Sequence, residues 1–314
     1  MKSYKFLVSV LAVDIHYHFT KEFPMNVTQS IWKREKGWVA DLQEISPDGV
    51  QFVLLFGDTF VLSDSSLLHQ VRTRFPAALI LGCSTAGEIC GTDVCSDSLV
   101  LTAVSFASTR VDGVLIRLGE EEGSVDAGAR LAQGLEKDGL RHVFVLSDGL
   151  RVNGTDLVKG LIQHLPPQVS VTGGLAADGD RFEKTCIVWN GETINGAIAA
   201  VGFYGDALEI GYGSFGGWDP FGPERLITKS KGNVLYELDG QSALDLYRKY
   251  LGEHASGLPA TGLLFPLSLR IDVAGAPVVR TILGINEEDQ RIKAEKAEKK
   301  RLLKLSKKIE KGIN

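Results

Sequence analysis

Three short, unbroken apolar runs, residues 51–56, 78–82 and 142–146, constrain this chain more than anything else in it. Each is bounded by Gly, Pro or Asp and is too short for a helix, so each predicts a strand covered on both faces. Between and after them the period changes to that of a helix. Leu67, Leu68, Val71 and Phe75 share one helical face, as do Leu157, Val158, Leu161, Ile162 and Leu165. A further helix is expected over residues 125–136. Strand, helix, strand is the pattern of an α/β protein with a largely parallel sheet. The 35 glycines among 314 residues suit strands and tight turns and argue against a helical bundle.

Beyond residue 168 the texture changes. Residues 182–190, 198–204 and 208–213 read as strands separated by short turns, and Asn190-Gly191 between two apolar runs predicts a hairpin. Ala243, Leu244, Tyr247 and Leu251 predict a helix over residues 241–251. Strands are expected again over 263–271 and 278–285. The fold class is therefore α/β, passing to α+β in the second half. It is read as two packed lobes with mixed sheets, largely parallel and then antiparallel, flanked by helices. Residues 25–167 are assigned to the first lobe and 168–290 to the second. Residues 1–24 read as an N-terminal extension, because Met25 offers a second start. Residues 291–314 read as a basic amphipathic helical tail, with Leu302, Leu305, Ile309 and Ile313 three and four apart.

Charge narrows the function classes. The formal net charge is −5, but the tail is strongly basic and the body correspondingly more acidic. Such a body is a poor match for nucleic acid. No stretch approaches the roughly 20 apolar residues of a membrane span, so no membrane insertion is expected. The spacing of Cys83, Cys90, Cys95 and Cys186 lacks a CxxC pair, which favours reduced thiols and a cytoplasmic setting over a zinc site.

In open α/β sheets, ligands gather outside the carboxyl ends of the strands. Here those ends read Gly57-Asp58, Cys83-Ser84-Thr85-Ala86-Gly87-Glu88, Ser147-Asp148-Gly149 and Thr172-Gly173-Gly174. Together they predict a polar cup for a small molecule, with Cys83, Ser84, Thr85, Glu88, Asp148, Gly173, Gly174 and Asp178 as ligand-binding candidates. No catalytic residue is assigned. The alternative, an enzyme using Cys83 or Ser84 as nucleophile, lacks the G-x-S-x-G turn. Nucleotide binding lacks both G-x-x-x-x-G-K-[ST] and a G-x-G-x-x-G that opens a helix. None of the six histidines is singled out by spacing as a metal ligand. With no CxxCH, any haem b would be non-covalent.

Four motifs in order resemble one family. Ile80-Leu81-Gly82-Cys83-Ser84-Thr85-Ala86-Gly87-Glu88-Ile89 is similar to the FIST N-terminal region, and Thr172-Gly173-Gly174-Leu175-Ala176-Ala177-Asp178-Gly179 to the junction between its halves. Gly217-Trp218-Asp219-Pro220-Phe221-Gly222-Pro223-Glu224-Arg225 and Gly232-Asn233-Val234-Leu235-Tyr236-Glu237-Leu238-Asp239-Gly240 are similar to the FIST C-terminal region. The resemblance implies a non-enzymatic sensory module that binds a small ligand, for which amino acids have been proposed. It implies regulation of a partner histidine kinase, chemotaxis receptor or cyclic-di-GMP enzyme. One subgroup binds haem and senses nitric oxide, and no iron ligand is carried over from it to a residue here. The family usually continues past an element like residues 284–289 with a further strand and helix. A basic helix is expected here instead, which would leave the second lobe incomplete.

Overall fold

The computed structural model describes residues 25–211, 221–270 and 278–294, with residues 218–220 and 302–308 described by backbone alone. The chain divides into two compact units, Met1–Ser214 and Phe215–Asn314. The expected extension, residues 1–24, lies outside the described residues.

The first unit opens with β1 (Asn26–Lys33), β2 (Gly37–Trp38) and β3 (Phe52–Gly57), followed by α1 (Ser65–Arg74) and β4 (Leu79–Ser84). A small hairpin, β5 (Glu88–Cys90) and β6 (Asp93–Cys95), leads into β7 (Ser98–Ser105). Then come β8 (Arg110–Arg117), α2 (Ser124–Gly134), β9 (Leu140–Ser147), α3 (Gly154–His164) and β10 (Ser170–Leu175). A second hairpin, β11 (Ile187–Trp189) and β12 (Glu192–Ile194), precedes β13 (Ala197–Tyr204).

These strands form two main sheets, ordered β12-β11-β4-β3-β7-β1-β2 and β10-β9-β13-β8. In each, the two strands that flank a helix, β3/β4 and β9/β10, run parallel, and their other neighbours run antiparallel. Three apolar layers follow from this. Leu55, Val53 and Ile80 of the first sheet pack with Leu67, Leu68 and Val71 of α1. Val143, Val145 and Ile198 of the second pack with Leu131 of α2 and Leu157 and Leu161 of α3. Between the sheets lie Phe52, Leu54, Leu81, Phe144, Ile187 and Phe203. The unit is thus a helix–sheet–sheet–helix stack. The strands read as continuous apolar runs because both of their faces are covered.

The helix starts follow from capping. Asp64 Oδ1 accepts from the Ser66 and Leu67 N–H groups, and Asn153 Oδ1 accepts from Thr155 and Asp156. Such caps satisfy amides that the first helical turn leaves unpaired. α2 and α3 approach so closely that a Cβ on Gly160 would lie 2.0 Å from the Val125 carbonyl oxygen, so only glycine fits there.

The second unit continues with β14 (Trp218–Lys231), β15 (Val234–Leu238), β16 (Gln241–Ser242) and α4 (Ala243–Leu251). β17 (Leu267–Arg270), β18 (Val278–Arg280), β19 (Ile282–Asn286), β20 (Arg291–Ala294) and β21 (Leu302–Lys308) complete it. All of its described pairings are antiparallel. Ala243, Leu244 and Tyr247 of α4 are buried with Leu235, Leu267 and Ile292.

Three expectations need correction. The boundary at 167/168 falls inside the first unit, because β10 and β13 both hydrogen-bond to β9. The tail begins as a strand, not a helix. Ile292 and Ala294 are buried while Lys293 is exposed, a period of two, and β20 pairs with β15 and β19. Residues 302–308 also lie in a strand, between β14 and β17. Sheet pairing therefore overrides the local helical spacing of Leu302 and Leu305, and the described residues that follow 284–289 lie in strands. Of the strand expected over 182–190, only Ile187–Trp189 forms. The Phe182, Glu183 and Lys184 amides are bound to the Asp178 side chain instead.

Candidate functional site

The carboxyl ends of β3, β4, β9 and β10 are tied together by hydrogen bonds between their loops. The Ala177 N–H donates to the Ser84 carbonyl at 2.8 Å, and Ala176 N–H to the Ser147 carbonyl at 2.8 Å. The Gly149 N–H donates to Thr185 Oγ1, and the Cys186 N–H to Ser84 Oγ. The chain from β10 to β11 therefore crosses the ends of both parallel strand pairs.

Two groups of polar side chains result. In the first, Glu88 is 1% exposed. Its oxygens accept from Thr85 Oγ1 at 2.7 Å and Ser98 Oγ at 2.6 Å. Burial holds its carboxyl above the ordinary range, against those hydroxyls, which favour the charged form. Nearby, Asp58 Oδ1 accepts from the Phe60 N–H, while its Oδ2 takes the Arg181 guanidinium at 3.1 Å. The same guanidinium lies 4.9 Å from the centre of the Phe60 ring, and Phe60 is 61% exposed.

The second group is closed on backbone. Asp148 accepts from the N–H groups of Leu150, Arg151 and Gly196. Asp178 accepts from those of Phe182, Glu183 and Lys184. Gly173 lies within β10, where a Cβ would come 1.8 Å from the Val145 carbonyl oxygen. Gly174 is buried opposite Leu146 of β9. Cys83 faces the layer between the sheets at 2% exposure, and burial pushes its thiol far up. Ser84 is fully buried.

The eight predicted residues thus fall into distinct places. Thr85 and Glu88 join one hydroxyl–carboxyl cluster. Ser84, Asp148 and Asp178 bind backbone, and Cys83, Gly173 and Gly174 pack within strands. Sequence reading missed Arg181, Phe60, Ser98 and Thr185. Arg181 lies directly before the stretch read as a strand, residues 182–190, and was not weighed as a site residue.

A nucleophile needs a base within hydrogen-bond reach. Among the described residues no histidine is bonded to Cys83 or Ser84, and His142 is bonded to Ser170 and Thr172 instead.

A haem held by a buried histidine needs a free ring nitrogen on it, and the described histidines do not offer one. His69 and His164 are exposed on helices, and His254 is exposed beside Phe265. His142 is buried, but its two nitrogens sit 2.7 Å from Ser170 Oγ and 2.8 Å from Thr172 Oγ1. His16 and His18 lie outside the described residues. Among the described residues no cluster of three or more His, Cys, Asp or Glu side chains is arranged to hold a metal ion. No described helix is long and apolar enough to cross a membrane.

A layered α/β unit with a polar rim at its strand ends, followed by an antiparallel unit with one packed helix, defines the class of protein. Comparison with known families then gives its membership. The FIST N domain model matches residues 51–241 and the FIST C domain model residues 243–299, so the chain belongs to the FIST family. FIST domains are sensory domains of signal transduction. The family is not a known enzyme family. The chain is also similar to an uncharacterized protein of Methanocaldococcus jannaschii, 25% identical over 195 residues. That match covers 59% of this chain and 37% of the relative, so the chain spans well under two thirds of the relative's length.

Proposed function

We propose that this chain binds a small ligand at the rim where β3 and β4 end, and signals its occupancy to a partner such as a histidine kinase or a cyclic-di-GMP enzyme. The observation that carries the reading is the Asp58–Arg181 pair beneath the exposed Phe60 ring. Arg181 has five N–H donors in a planar fork, and one is spent on Asp58. A ligand carboxylate can take two more, an amine can be shared by Asp58, and an apolar or aromatic side group can lie on Phe60. A small zwitterion such as an amino acid meets all three demands. Membership of a sensory family supports the same reading.

Ordering the β10–β11 loop around such a ligand would favour one arrangement of that loop, the differential affinity that any switch requires. The test is calorimetric titration of the full chain with the twenty amino acids and their amine-free and carboxylate-free analogues. The expected result is binding of a compound carrying both groups, weakened about 10- to 100-fold in Arg181→Ala, as loss of a charged hydrogen-bond donor implies. Equal affinity for the carboxylate-free analogue would overturn the reading.

A further inference from the structure

The β5–β6 hairpin carries chemistry that the ligand-binding reading does not use. Its register pairs Glu88 with Cys95, Ile89 with Val94 and Cys90 with Asp93. Side chains two apart on a strand share a face, so Cys90 and Cys95 lie on one face, diagonal to one another. Only Gly91 and Thr92 separate the two strands. Diagonal neighbours on such a ribbon lie about 7–8 Å apart, with Cβ atoms somewhat closer, so a disulfide between them requires a small inward shift of the two-residue hairpin end. Both cysteines are free thiols of intermediate burial, whereas Cys83 and Cys186 are buried. The hairpin is held from outside by a hydrogen bond from the Gly91 N–H to Gln29 Oε1 at 2.9 Å, so the strand pair has a fixed footing.

We propose that Cys90 and Cys95 form a modification site, a dithiol oxidised by peroxides to an intramolecular disulfide across the hairpin. One thiolate attacks the peroxide oxygen, giving a sulfenic acid and releasing one water or alcohol. The second thiol then displaces the sulfenic oxygen as water. Two thiols and one peroxide become one disulfide, one water and one water or alcohol, so the two sulfurs are oxidised and the peroxide is reduced. The reaction needs the thiolate. Burial, then Cys95 and Asp93, raise the Cys90 thiol, and Lys33 lowers it. The rate therefore climbs as pH rises above neutral. The bond would cross-link the strand that begins with Glu88 to the one opposite it, and this inference stands whether or not a ligand binds at Arg181.

The experiment treats the full-length reduced protein with hydrogen peroxide at pH 8 and follows intact mass, dimedone labelling and migration on a non-reducing gel. The expected product is a monomer lighter by two hydrogen atoms, without a dimedone adduct and restored by dithiothreitol. Thiol titration after denaturation should fall from four to two. Cys90→Ser and Cys95→Ser should each fail to lose two hydrogen atoms, gaining instead one oxygen as a sulfenic acid on the remaining partner, which dimedone traps. Three results would overturn the proposal. These are dimedone adducts on the wild type equal to those on the variants, disulfide-linked dimers as the main product, or a two-hydrogen loss that persists in Cys90→Ser.

Discussion

The two strand–helix–strand halves of the first unit share a topology and differ in what they leave open. In both, a parallel pair is flanked by antiparallel strands in the same order, β4-β3-β7-β1 and β10-β9-β13-β8. Even the tight contact recurs. Gly82 of β4 faces Leu55 of β3, and Gly173 of β10 faces Val145 of β9, each pressed against the carbonyl of its partner. Both halves also place an aspartate directly after the first strand. There the likeness ends. Asp148 is saturated by three backbone amides, whereas Asp58 shares one oxygen with a mobile kind of partner, a long guanidinium side chain. Two frames of one design have thus diverged into a half that is spent on holding loops and a half with donors to spare.

The comparison can be broken where the halves should behave alike. Gly82→Ala and Gly173→Ala should each cost about 3 kcal/mol or more, because the added methyl meets backbone that cannot give way. The measurement is urea unfolding, and a large cost at one position with none at the other would separate the frames. The next effect belongs to the second half alone. Phe52 of β3 and His142 of β9 occupy matching places, and burial depresses the His142 pKa to about 4. Its neutral form is the one that folds, so its contribution is intact above pH 6.5. It is lost as pH falls toward 4, where the unfolded chain binds the proton more readily. That contribution is about 3 kcal/mol between pH 7 and pH 4. His142→Phe should remove this step from the pH dependence of unfolding.

Asp178→Ala strips acceptors from three amides and should cost about 2–3 kcal/mol. Asp58→Ala, which frees one amide and a partly exposed ion pair, should cost about 1 kcal/mol or less. Equal costs would erase the distinction between a closed half and an open one. The smallest effect on stability and the largest on binding should coincide at Arg181. Arg181→Ala should leave the unfolding midpoint nearly unchanged and weaken ligand capture.

Much of this frame was readable from residue pattern. The three apolar runs and four helices announced themselves because strands covered on both faces lose their polar alternation and surface helices keep theirs. The Asn190-Gly191 hairpin was readable too, since both residues adopt the positive φ that such a turn requires. What hid was decided by long-range pairing. Ile292 and Lys293 look helical in a basic stretch until β15 supplies hydrogen bonds to make them a strand. The likeness of the two halves was invisible because it is kept in strand order and in two glycines, with little shared side-chain chemistry. The cup candidates were chosen by position at strand ends, but position does not say whether a carboxylate faces an amide or an open rim. Arg181 was missed because its place depends on Asp178, which gathers the following amides into a loop.

The path of the chain after β10 gives that loop a particular mechanical standing. β10 is the end strand of one sheet, and β11 is hydrogen-bonded to β4 in the other. The eleven residues between Leu175 and Ile187 are therefore a strap sewn across the seam of the sandwich, with Arg181 at its middle. Whatever grips the middle of a strap sets the tension at both stitches, so a molecule held by one arginine would be felt by two sheets together.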